Sequence, residues 1–153
     1  MKSQIILCSG GARSGKSEFA ERLALATAGR KAYVATGQAF DEEMIDRIKK
    51  HQERRGEIWN NFEVPLHLAK EWQNISQSAD VILIDCLTMF TTNHMMAHGS
   101  IQGQQDANQL EATVLTELET LLASIKSCEG KTVIFVTNEI GLGIVPDNKL
   151  ARY

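Results

Sequence analysis

An apolar run, Ile5-Ile6-Leu7-Cys8, leads within two residues into Gly10-Gly11-Ala12-Arg13-Ser14-Gly15-Lys16-Ser17. That octet is a full G-x-x-x-x-G-K-[ST] match, and a helical pattern over residues 17–28 follows it. Buried strand, glycine-rich turn and helix in that order point to an α/β chain with a parallel sheet. The residue types have a chemical reason. Glycines let the backbone wrap closely around a phosphate with its N–H groups turned inward. The helix N-terminus adds the positive end of its dipole. Lys16 is placed to reach β and γ phosphates, and the Ser17 hydroxyl to hold Mg2+.

The rest of the chain repeats the alternation. Helix 17–28 is expected to bury Phe19, Ala20, Leu23, Ala24 and Ala26, with Gly29 as its C-cap. Residues 32–36 read as a second strand. Residues 41–55 read as a helix with Met44, Ile45 and Ile48 on one side. A short strand over 59–64, stopped by Pro65, and a helix over 66–75 follow. Val81-Ile82-Leu83-Ile84-Asp85 is the clearest strand. Leu110, Val114, Leu118, Leu121, Leu122 and Ile125 recur at helical spacing within a helix over 104–127. Residues 132–137 (TVIFVT) form a further buried strand, and 99–105 (GSIQGQQ) the expected mobile loop. Continuous apolar strands alternating with helices imply a mostly parallel sheet covered on both faces.

The 153 residues and 17.0 kDa suit a single domain with a core large enough to need no disulfide or metal. No apolar run approaches the length of a membrane span. The N-terminus has no signal-peptide pattern. The three cysteines, Cys8, Cys86 and Cys128, are far apart and fit reduced thiols in the cytoplasm, with Cys8 and Cys86 as small buried hydrophobes. A net charge of −3 and the lack of a basic, aromatic-studded segment argue against nucleic acid as a partner.

Two further features carry chemistry. Asp85 ends its strand where phosphate-loop enzymes place a carboxylate for the metal, although an Asp there can also simply cap the next segment. His51 sits in Arg47-Ile48-Lys49-Lys50-His51-Gln52-Glu53-Arg54-Arg55, among five basic residues. One reading is a half-buried histidine on a solvated basic helix. The other is a covalent nucleophile, with the cations disfavouring a charged ring and offsetting charge on an attacked phosphate. His94 and His98 have the i, i+4 spacing of a helical metal pair but lack the Glu of H-E-x-x-H and an obvious third ligand. They read as an ordinary helix pair, and His67 has no evident role.

Together the motifs GGARSGKS (10–17), YVATGQ (33–38), DEEMIDRIKKHQERR (41–55), W-x-x-x-E-x-P (59–65), DCLT (85–88) followed by Asn93, and TNEIGLGIVPDNKLAR (137–152) bring in a family. The chain resembles the bifunctional adenosylcobinamide kinase / adenosylcobinamide-phosphate guanylyltransferases of cobalamin biosynthesis. The resemblance implies a P-loop NTPase fold of the RecA-like kind. It implies phosphorylation of adenosylcobinamide by a nucleoside triphosphate, ATP or GTP. Transfer of GMP from GTP to adenosylcobinamide phosphate then follows through a guanylylated histidine, at the position of His51. The resemblance makes His51 and Lys16 catalytic, and Ser17 and Asp85 the metal ligands. Nucleotide contacts would come from residues 10–17, from Thr36, Gly37 and Gln38, from Gln52, Glu53, Arg54 and Arg55, and from Glu63 and Asp85. It also implies a homo-oligomer. Departures from the family pattern are Gly56 after Arg55, Gln52 in a commonly basic position, and Asn61 for the usual Thr. The family continues past LAR with a helix and closing strands. Residues 1–153 lack them, either as part of a longer chain or as a shortened form, and if nothing follows Tyr153 apolar surface is expected to be exposed on the unclosed side.

Overall fold

The structure is a computed structural model that describes residues 2–11, 14–37 and 42–138. Its strands are β1 (Gln4–Gly10), β2 (Lys31–Ala35), β3 (Trp59–Glu63), β4 (Val81–Asp85) and β5 (Thr132–Asn138). Its helices are α1 (Lys16–Ala26), α2 (Glu42–Arg55), α3 (Leu68–Ser78), α4 (Leu87–His98) and α5 (Gln104–Ser127), with a 3-10 turn at Gly56–Ile58. The five strands form one sheet in the order β1-β5-β4-β2-β3, every neighbouring pair parallel.

Side-chain alternation along the strands divides the core. Ala32, Val34, Ile82, Ile84, Val133 and Phe135 face α3, α4 and α5. Val81, Leu83, Ile134 and Val136 point the other way, with Ala20 and Ala24 of α1. β4 therefore buries both faces, which explains its unbroken apolar run. In α3, Leu68, Trp72 and Ile75 recur at helical spacing and are fully or nearly buried. In α5, Leu110, Val114, Leu121 and Ile125 are buried as expected, with Leu118 and Leu122 packed at the margin.

Several expectations are corrected. β1 is an edge strand among the described residues, so Ile5 and Leu7 are 40% and 61% exposed and only Cys8 is buried. Of the residues expected to line α1, Phe19 and Ala26 are exposed, while Ala20 and Ala24 are buried and Leu23 packs at the margin of the core. α1 ends at Ala26, one turn before Gly29, with Thr27 Oγ1 donating to the Leu23 carbonyl. In α2, Ile45 is 54% exposed; among the described side chains Ile48, Gln52 and Arg55 are half-buried, and the Met44 side chain lies outside them. Helix α4 has no apolar stripe to announce it. It starts where Cys86 Sγ accepts the Met89 N–H, and it buries Phe90 and Asn93. The glycine-rich segment before α5 buries Ile101 against the core.

The end of the sheet opposite the phosphate loop is tied by Asp80. Its carboxylate accepts from the Arg30 guanidinium and the Arg30 backbone N–H, at 3.1 and 2.8 Å, and lies 3.7 Å from Lys131. Those hydrogen bonds, the side-chain one foremost, hold its pKa down to about 2. A depressed carboxylate adds stability that is present above the usual value and lost as pH falls from about 4 to about 2. Both partners are partly exposed, so the effect is small. We expect Asp80→Asn to cost about 1 kcal/mol at pH 7. The difference should vanish near pH 2, as urea midpoints at several pH values will show.

Candidate active site

The phosphate loop leaves β1 at Gly10 and enters α1 at Lys16. Gly15 precedes the helix at φ 80°, a left-handed conformation that a side chain would strain. A Cβ on Gly10 would come within 2.8 Å of Ser14 Oγ. The Ser14 N–H donates to the Gly11 carbonyl at 3.3 Å. Lys16 Nζ donates to the same carbonyl at 3.1 Å, so its ammonium folds back across the loop. Ala12 and Arg13 lie outside the described residues, as do Gln38 and the segment 139–153.

Asp85 ends β4 at the same, C-terminal, end of the sheet, with β5 between it and the phosphate-loop strand. In open α/β sheets this end is where ligands bind. Asp85 is in register with Ala35, so Tyr33, two residues back on β2, shares its face. The Tyr33 hydroxyl donates to Asp85 Oδ2 at 2.5 Å. Burial, and then the Asp85 charge, push the tyrosine pKa far above its ordinary value, so the hydroxyl remains a donor.

Thr36 stands one residue beyond β2 and is fully buried. Its Oγ1 donates to the Cys86 carbonyl at 2.6 Å and accepts the Cys86 N–H at 2.8 Å. Its own N–H donates to the Asp85 carbonyl, and its carbonyl accepts from Asn93 Nδ2. The Thr36 side chain thus fixes the backbone that carries Asp85. Gly37 follows it at the strand ends, and Glu63 is exposed at the end of β3.

Helix α2 brings the histidine to this place. Ile48, His51 and Arg55 lie at i, i+3 and i+7, on one helix face. A cavity of about 240 Å³ is lined by Ser17, Glu21, Tyr33, Ile48, His51 and Asp85, with Arg54 and Arg55 at its side. Three distant stretches, residues 17–21, 48–55 and 85, therefore meet. The Arg55 guanidinium lies 3.6 Å from the Tyr33 ring centroid and donates to Asn61 Oδ1 at 3.0 Å. It is also 3.8 Å from Glu21, which pairs with Arg54 at 3.5 Å. Burial pulls the Arg55 pKa down, and Tyr33 and Glu21 act against that fall. Gln52 is half-buried, while Glu53 and Arg54 are exposed.

His51 is exposed, and among the described residues its ring has no hydrogen-bond or ion-pair partner. His94 is the contrast. Its Nε2 is 3.1 Å from the Leu66 carbonyl and its ring packs edge-on against Phe90 at 4.6 Å. His94 behaves as a structural histidine, and His51 does not. Among the described residues no three His, Cys, Asp or Glu side chains cluster as a metal site. Ser17 and Asp85, both hard oxygen donors on one cavity, are the pair suited to Mg2+, which is commonly held by one or two protein oxygens plus substrate phosphates.

Sequence reasoning overlooked Tyr33 and Glu21, and gave Asn93 only as part of the family motif that follows residues 85–88. Glu21 had a signal, since it lies one helical turn beyond Ser17. Tyr33 had none, because its partner is 52 residues away on a neighbouring strand.

Comparison with known proteins bears on the fold and the family. The chain is similar to a solved ATPase of the type III secretion system of pathogenic bacteria, with a TM-score of 0.62 at 13% identity. That match covers 94% of this chain and 46% of the other, and it shows a P-loop, RecA-like fold. The bifunctional adenosylcobalamin biosynthesis protein CobU of Escherichia coli is 37% identical over 97% of this chain and 82% of its own. CobU of Salmonella typhimurium is 40% identical with the same coverage. CobP of Pseudomonas aeruginosa is 40% identical over 94% of this chain and 76% of its own. The sequence profile described as cobinamide kinase / cobinamide phosphate guanyltransferase matches residues 6–153. The chain belongs to this family of bifunctional kinase and guanylyltransferase enzymes of cobalamin biosynthesis.

Proposed function

We propose that the guanylyltransferase half of the activity runs through His51, in the cavity that also holds Ser17 and Asp85. The observation that carries this reading is the convergence itself. An exposed, unpartnered histidine lines one cavity with the first-turn serine of the phosphate loop and the strand-end carboxylate. A ring nitrogen of His51 attacks the α-phosphorus of GTP. A P–N bond forms, the bond to the β-phosphate bridging oxygen breaks, pyrophosphate leaves, and the ring gives up its N–H proton. A phosphate oxygen of adenosylcobinamide phosphate then attacks the same phosphorus. The P–N bond breaks, adenosylcobinamide-GDP is released, and the ring is restored.

In the kinase half, the hydroxyl of the cobinamide side arm takes the γ-phosphoryl group of ATP or GTP. The loop 10–17 cradles the phosphates, and Lys16 swings from Gly11 to the β and γ oxygens. Ser17 and Asp85 are the residues that would hold Mg2+, which neutralises phosphate charge when bound. Gln52, Glu53 and Arg54 at the open side of α2, with Gly37, Gln38 and Glu63, are the proposed further nucleotide contacts. Arg55 belongs to the same segment, but its guanidinium is committed to Tyr33, Glu21 and Asn61. No helix of the described residues is long and apolar enough to cross a membrane. We propose a cytoplasmic homo-oligomer, as the substrates and the family imply.

The test is mass spectrometry of intact protein after incubation with GTP and Mg2+. A GMP adduct, acid-labile and base-stable, should map to the peptide containing residues 47–55. Phosphate transfer with no adduct would instead support a plain kinase in which His51 has no covalent role.

A further inference from the structure

We propose that Tyr33 is a positioning residue that serves both halves of the site, its hydroxyl setting Asp85 and its ring carrying the helix that presents His51. The inference rests on the reading of His51 and Asp85 given above. It starts from contacts that the phosphate-loop and histidine motifs do not explain.

The hydroxyl donates to Asp85 Oδ2 at 2.5 Å, and no contact of the described residues engages Oδ1. With the Asp85 backbone carbonyl also held by the Thr36 N–H at 3.0 Å, the residue is fixed at its backbone and at one carboxylate oxygen. One oxygen is turned to the tyrosine and the other is left for a cation. On its face, the same ring bears the Arg55 guanidinium at 3.6 Å. Arg55 is one helical turn beyond His51 and its side chain is only 6% exposed, in a helix that is otherwise largely exposed. Trp59 braces the tyrosine edge-on at 6.0 Å, and Glu21 closes the ring of contacts from α1, one turn beyond Ser17. The buried end of α2 thus hangs on Tyr33 more than on any apolar stripe. A planar, stacked guanidinium over an aromatic face is a contact that lysine does not reproduce.

Substitutions separate the two roles. Tyr33→Phe keeps the platform and removes the hydroxyl. The Mg2+ concentration needed for half-maximal binding of a fluorescent GTP analogue should rise about tenfold, the worth of one charge-assisted hydrogen bond. Covalent labelling at saturating Mg2+ should stay near wild type. Tyr33→Leu removes the platform as well, and labelling at saturating Mg2+ should fall by a further factor of about ten. Arg55→Lys tests the platform without touching the tyrosine. It should slow labelling about tenfold while leaving the Mg2+ dependence of binding unchanged, and it decides the point if Tyr33→Leu does not fold.

A tyrosine that merely stabilises the fold would lower the melting temperature and leave both readouts, per folded molecule, at wild-type values. That outcome overturns the proposal. Wild-type protein that binds GTP but takes no label overturns the His51 reading, and the role of the ring falls with it. The role of the hydroxyl is still decided, by the Mg2+ dependence of binding alone.

Discussion

His51→Ala should take up no covalent GMP and should make no adenosylcobinamide-GDP, while still phosphorylating adenosylcobinamide. Removing a nucleophile from a site that forms a covalent intermediate costs roughly 10³-fold or more. The phosphate loop, Ser17 and Asp85 are untouched by the change. The ring of His51 makes no contact on which the fold depends, so the variant should melt within a degree or two of wild type. The measurement is a pair of assays on one preparation: α-labelled GTP for the adduct, γ-labelled nucleotide for the kinase step. Loss of both activities in a folded variant would mean that His51 acts on the phosphates in general. Retention of the adduct would mean that another residue is the nucleophile.

Lys16→Ala should reverse much of that pattern. Its ammonium is held over the loop by the Gly11 carbonyl at 3.1 Å, within a short swing of the place where β and γ phosphates would sit. Losing it misplaces the transferring group, and misplacement of about 1 Å is worth about 10² in rate. We expect the kinase step to fall at least that far, with GTP affinity weakened as well. Labelling of His51 should slow but remain measurable at high GTP, because the attacked phosphorus is the α one. A Lys16→Ala enzyme that phosphorylates adenosylcobinamide at wild-type rate would show that the loop does not hold the phosphoryl donor.

Much of this site was legible in the chain. Residues 10–17 announce themselves because phosphate binding restricts both the glycines and the residues after them. The basic surroundings of His51 and the strand-end position of Asp85 were equally visible. What the pattern misjudged was exposure. Ile5 and Leu7 look like core because β-branched and aliphatic runs usually are, yet among the described residues β1 has a single neighbour. Phe19 was assigned to the buried side of α1 and Ile45 to the apolar side of α2 on helical periodicity, yet both are 54% exposed. Helix α4 was missed because its apolar residues follow no period, and it is anchored by polar contacts. Thr88 Oγ1 accepts the Asn138 N–H at 2.8 Å, and Asn93 donates to the Thr36 and Pro65 carbonyls.

By itself the sequence determined the fold class and the phosphate loop, because each of these is written in contiguous residues with a local physical reason, and through a family resemblance it nominated the candidate reacting side chains. Only the tertiary structure decided how those side chains are held. The Thr36 hydroxyl spans both backbone groups of Cys86, which no local pattern announces. The Arg55 guanidinium lies 3.6 Å from the Tyr33 ring centroid, a contact between residues of two separate elements. Tyr33 acquired a role at all only because parallel pairing of β2 with β4 sets it beneath Asp85, 52 residues away in the chain. Such pairings carry no local signature. They exist because packing two separate strands side by side buries both, and which side chains meet is settled by register.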